Sequence, residues 1–96
     1  MARSHLDIIH EALDAGLTLT LQEPSGSRTF VAGQITRDRR PNGSVRTTHL
    51  SRNLTGYVWL TPGGLRILAA QARELLARKE EILAERDARV ASFLDR

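Results

Sequence analysis

The sequence predicts an α+β domain: a short amino-terminal helix, a four-stranded antiparallel sheet and a long carboxy-terminal helix. Three observations predict it. Apolar residues recur at helical spacing from Leu6 to Leu13, the period falls to two from Leu17 onward, and after Thr61-Pro62 two apolar stripes repeat every seven residues. The chain has 96 residues, enough for one domain that hides roughly 60 to 65% of its unfolded surface on folding. Self-association is therefore expected.

The first helix is placed at residues 4–15. Ser4 followed by Asp7 makes a capping-box-like start, and Leu6, Ile9 and Leu13 form a stripe that Ile8 and Ala12 widen until Gly16. Asp7, His10, Glu11 and Asp14 share the opposite face, the pattern of a solvated helix surface. His5 and His10 point in different directions and His49 is remote in sequence, so no metal site is expected.

The sheet is placed at residues 17–61. Leu17, Leu19 and Leu21 alternate with Thr18, Thr20 and Gln22 as a half-buried strand before the turn Pro24-Ser25-Gly26-Ser27. A second strand is predicted from Arg28 to about Arg37, with Val31 and Ile35 on one face and Phe30, Ala32 and Gln34 on the other. Arg39-Arg40-Pro41-Asn42-Gly43-Ser44 breaks it, and Asn42-Gly43 suits a type I′ hairpin turn. Val45 to Leu50 is the third strand. Gly56 to Leu60 is the fourth, with Val58 and Leu60 on one face and Tyr57 and Trp59 on the other.

Thr61 can cap a helix whose first position Pro62 fits, so one long helix is predicted over 62–95. Leu68, Leu75 and Ile82 form one heptad-spaced stripe, and Ala69, Leu76, Leu83 and Val90 form its neighbour. Such a helix is roughly 48 Å long, more than twice the ~20 Å of a six-residue strand. Its second half must meet a partner subunit, the amino-terminal helix after a bend, or water. Leu68, Leu75, Leu76, Ile82, Leu83 and Val90 are the predicted homodimer interface.

The charge distribution points to function. Between Pro24 and Arg73 stand eight arginines (Arg28, Arg37, Arg39, Arg40, Arg46, Arg52, Arg66 and Arg73) against one acid, Asp38. The flanks are net acidic, with one base and four acids before Pro24 and five bases and six acids after Arg73. Concentrated positive charge implies a polyanionic partner. Arg28, Arg37, Arg39, Arg40, Arg46 and Arg52 are the candidate phosphate contacts, with Arg37, Arg39, Arg40 and Arg46 forming a basic tip or edge. Phe30, Tyr57 and Trp59 are the candidate stacking residues, and single-stranded nucleic acid is favoured over duplex. The alternative for those aromatics is an ordinary core.

Four antiparallel strands closing in Val58-Trp59-Leu60-Thr61-Pro62 and feeding a helix resemble the Whirly and Pur-alpha type of single-stranded nucleic-acid-binding domain. The resemblance spans residues 17 to 83 and implies dimers whose helices pack together while the sheets present bases with stacking and charge. Tyr57 to Leu65 also resembles the end of the wing in winged-helix transcription regulators, although Leu17 to Thr36 alternates like strand where a recognition helix should lie.

A different class remains open: a small dimeric adaptor or inhibitor, bacterial or phage-encoded, gripping a protein partner with its long helix. Catalytic residues and cofactors are not expected, because no nucleophile stands with a base and no glycine motif cradles a phosphate. There are no cysteines, and no run approaches the roughly 18 apolar residues of a membrane span. Residues 1–7 show no apolar signal core, so a cytoplasmic location is the expectation.

Overall fold

Ser4 Oγ accepts the Asp7 amide at 3.1 Å, and the first helix, α1 (His5–Asp14), begins there. It ends in a Schellman motif, in which the Leu17 amide donates to Ala12 and the Gly16 amide to Leu13. The computed structural model describes residues 3–94. After α1 come β1 (Leu19–Glu23), β2 (Gly26–Phe30), β3 (Ile35–Arg39), β4 (Val45–Leu50), β5 (Tyr57–Leu60), α2 (Pro62–Ala77) and α3 (Lys79–Leu94). The α+β class stands, but among the described residues the strands are five, in an antiparallel pair β1–β2 and an antiparallel three-stranded sheet ordered β3-β4-β5.

The single four-stranded sheet fails at one place. The predicted strand from Arg28 to Arg37 is two strands separated by a turn at Val31 to Gln34. Gly33 takes a φ of 86°, which a residue with a Cβ adopts rarely. The Gln34 amide donates to the Val31 carbonyl at 3.1 Å, and the Gln34 side-chain oxygen accepts the Val31 amide at 2.9 Å. Val31 is consequently exposed, and does not share a buried face with Ile35. The reversal sends β3 into a different sheet from β2.

The β3–β4 turn also differs from expectation. The Gly43 amide donates to Arg40 at 2.9 Å, so Pro41 and Asn42 are the central pair. Among the described residues only Leu54 is a non-glycine with positive φ, so Asn42 is not left-handed. A type I turn followed by Gly43 at φ 89° replaces the type I′ turn, because Pro41 presets the first central φ at a value the primed turn forbids.

One core joins these parts. Ile9, Leu13, Leu19, Phe30, Ile35, Val45, Leu60, Leu65 and Leu68 are all at or below 2% exposure. At the edge of β1, the Gln71 carboxamide of α2 accepts the Thr20 amide at 2.8 Å and donates to the Thr20 carbonyl at 3.1 Å. It satisfies the two backbone groups that a neighbouring strand would otherwise pair.

The long helix predicted over 62–95 starts as expected, with Thr61 Oγ1 accepting the Gly64 amide, but it breaks at Arg78. That residue caps α2 at φ −113°, and α3 starts from Lys79; Asp95 lies outside the described residues. Beyond the break Ile82 packs against the core, and Arg86 Nη2 donates to the Gly16 carbonyl at 3.1 Å, a favourable position for a cation at the carboxy-terminal end of α1.

Candidate nucleic-acid interface

Two β-bulges shape the three-stranded sheet, and a threonine sits at each. Ile35 pairs with Thr47 and Arg39 with Val45, so Thr36 and Asp38 both come opposite Arg46. Arg46 pairs with Trp59 and Leu50 with Tyr57, so Thr47 and His49 both come opposite Val58. Thr36 Oγ1 donates to the Arg46 carbonyl at 2.8 Å and accepts the Asp38 amide at 3.1 Å. Thr47 Oγ1 does the same, donating to Val58 at 2.9 Å and accepting from His49 at 3.1 Å. Each hydroxyl satisfies the groups its bulge removes from the ladder, and each bulge bends the strand and re-aims side chains.

The inner face of this sheet carries Ile35, Val45, Thr47 and Leu60 into the core. The outer face is open and holds a row across all three strands: Asp38 on β3, Arg46 on β4 and Trp59 on β5. Arg46 donates from Nε and Nη2 to Asp38 Oδ2 at 3.0 and 2.8 Å, and its guanidinium lies 5.2 Å from the centre of the Tyr57 ring. The Arg40 guanidinium covers Trp59 at 3.8 Å, within the range of a cation–π contact. Tyr57 is 49% exposed and Trp59 is half-buried. Trp59 also borders a groove lined by Leu21, Pro24, Leu60 and Ile67.

The predicted stacking set therefore divides. Tyr57 and Trp59 are on the outer face, whereas Phe30 is fully buried with its ring edge against His49 at 4.7 Å. Phe30 is a core residue, not a stacking platform, because it pairs with Leu19 and shares that residue's buried face.

The predicted arginine tip divides as well. Arg37 donates to Asp7 of α1 at 3.1 Å, and its guanidinium, followed by Ser4, holds the Asp7 carboxyl below its ordinary value. Arg28 pairs with Glu23 at 3.0 Å, and Arg46 with Asp38. Arg39 pairs with Val45 and so shares the inner side of the sheet at its exposed end. Arg52 donates to the Ser25 carbonyl. Among the described residues, Arg39, Arg40, Arg52, Arg66 and Arg73 make no ion pair. The outer face itself presents Arg40 and Arg46.

The predicted dimer stripe is largely used within the chain. Leu68 is fully buried, and Leu75, Leu76 and Ile82 pack against the same core. Leu68, Leu75 and Leu76 lie on α2 ahead of the break at Arg78, where α2 packs against α1 and β1, and Ile82 follows at the start of α3. Leu83 is half-buried, while Val90, Phe93 and Leu94 are 52, 77 and 73% exposed. Phe93 and Leu94 were missed by the heptad stripes, although they stand three and four residues beyond Val90 and so share its side of α3.

Asp38 and the two bulge threonines were also missed. Their signal is faint: Thr36 and Thr47 each precede by two the residue whose amide they accept, a local bond threonine makes in many contexts. The segment where a recognition helix would lie holds β1, β2 and the start of β3. Among the described residues, no three of His, Cys, Asp or Glu converge to hold a metal ion, and no helix is long and apolar enough to cross a membrane. No protein-family model, no curated protein and no solved structure matches this chain.

Proposed function

We propose that this chain binds single-stranded nucleic acid on the outer face of the β3-β4-β5 sheet. The observation that carries the proposal is the pairing of cation and ring there: Arg40 over Trp59 at 3.8 Å and Arg46 beside Tyr57 at 5.2 Å. Unpaired bases can stack on such planar groups, and the guanidinium of Arg40 can meet a phosphate at the same time. Duplex DNA buries its base faces and offers this sheet little beyond phosphate charge. The role of the protein in this proposal is binding, with no catalytic step.

Trp59 is the chain's one tryptophan, so its fluorescence reads the face directly. Titration with a single-stranded oligonucleotide at low salt should quench it saturably, and the duplex of the same sequence should quench it much less. Absence of any change with either, together with no shift in sedimentation, overturns the proposal.

A second element of the proposal is self-association through the end of α3, favoured by the exposure of Val90, Phe93 and Leu94. Two copies would present two sheet faces to one strand and raise avidity by effective concentration.

A further inference from the structure

Asp38 is the one acid among the fifty residues from Pro24 to Arg73, and it stands on the very face that concentrates cations. Oδ2 already accepts both Arg46 donors. A carboxylate has about four lone-pair sites, so Oδ1 retains acceptor capacity, and the side chain is 63% exposed. A phosphate is repelled by this group. A nucleobase is not, provided its edge offers an amino donor. Asp38 lies one strand away from Arg46 and two from Trp59, roughly 5 and 10 Å at ordinary strand spacing. A base stacked over Arg46 therefore brings its polar edge to Asp38.

We infer that Asp38 reads base edges on this face, selecting unpaired bases that carry an exocyclic amino group over those that carry a carbonyl in its place. This rests on the single-strand proposal above. Cytosine and uracil test the effect, being pyrimidines of equal size that differ at position 4, amino against carbonyl, and at N3, an acceptor in cytosine and an N–H donor in uracil. With the position-4 edge turned to Asp38, the N4 amino group of cytosine donates to Oδ1, whereas the O4 carbonyl of uracil meets it lone pair to lone pair. One charge-assisted bond gained at an exposed position sets a preference of about tenfold.

The test uses two oligonucleotides of about twelve residues, within the span a single-strand binder covers, one of deoxycytidine and one of deoxyuridine, titrated at a pH near 8 where cytosine stays neutral. The wild-type chain should bind the cytidine strand about tenfold more tightly. Asp38→Asn, whose amide both donates and accepts, should bring the ratio near one while releasing Arg46 to strengthen binding of both. Equal wild-type affinities for the two strands overturn the edge-reading role and leave the single-strand proposal standing. An unchanged ratio in Asp38→Asn, with both affinities reduced alike, assigns Asp38 to holding Arg46 and likewise overturns it. No binding of either strand overturns both.

Discussion

Salt dependence of binding is the most direct consequence of how the arginines are arranged. Each phosphate neutralised on a single strand contributes about −0.7 to the slope of log affinity against log salt. Five arginines of the basic block acting together would give a slope near −3.5. Arg28, Arg37 and Arg46 are already committed to Glu23, Asp7 and Asp38, and a neutral pair releases few counterions. Arg39 and Arg40 at the turn, with Arg52 as a third contact, leave a slope of about −1.4 to −2.1. Fluorescence titration of a single-stranded oligonucleotide over a range of potassium chloride concentrations measures it. Arg39→Ala with Arg40→Ala should lower its magnitude by about 1.4, with little loss of stability because both side chains are exposed. A wild-type slope steeper than about −3 would refute the reasoning, since it would require ion pairs to open on binding or Arg66 and Arg73 of α2 to join the contact. A slope unchanged by the double substitution would place the contact elsewhere.

The two classes of aromatic should behave differently. Phe30→Ala should cost about 3 to 5 kcal/mol of folding stability in urea unfolding, while Trp59→Ala should cost about 1 to 3 kcal/mol of binding with the fold retained by circular dichroism. Gln71→Ala removes both bonds to the Thr20 backbone and should cost about 1 to 3 kcal/mol by the same urea assay, as the amide and carbonyl lose their partners. Sedimentation at tens of micromolar should show a dimer that Val90→Glu with Phe93→Glu converts to monomer; a strictly monomeric wild type would remove self-association. Arg37 and Ser4 hold the Asp7 carboxyl below its ordinary value of 3.8. Its contribution is thus fully present above pH 3.8, the unfolded value, and is lost as pH falls through the folded value. Asp7→Asn should accordingly flatten the acid-side fall of the urea midpoint, and an unchanged profile would show the pair to be inert.

What the sequence determined by itself was the local order. The helix over His5–Asp14, the apolar alternation of Leu17, Leu19 and Leu21, the outward placement of Tyr57 against the buried Leu60, and the Thr61-Pro62 start of α2 all rest on spacing and capping within a few residues. Such signals are read along the chain, and distant contacts alter them little. Tertiary structure decided the rest. Gly33 and the Gln34 side chain turned one predicted strand into two, and pairing with Leu19 put Phe30 in the core. Packing of α2 on α1 and β1 spent Leu68, Leu75 and Leu76 of the predicted dimer stripe on the chain's own core. The ion pairs of Arg37 and Arg46 with Asp7 and Asp38, thirty and eight residues distant, took two guanidiniums out of the basic block. The Thr36 and Thr47 bulges set which side chains share the outer face. In each case the outcome depends on which of two locally permitted conformations buries more apolar surface or satisfies more backbone groups, and that comparison exists only once distant segments meet.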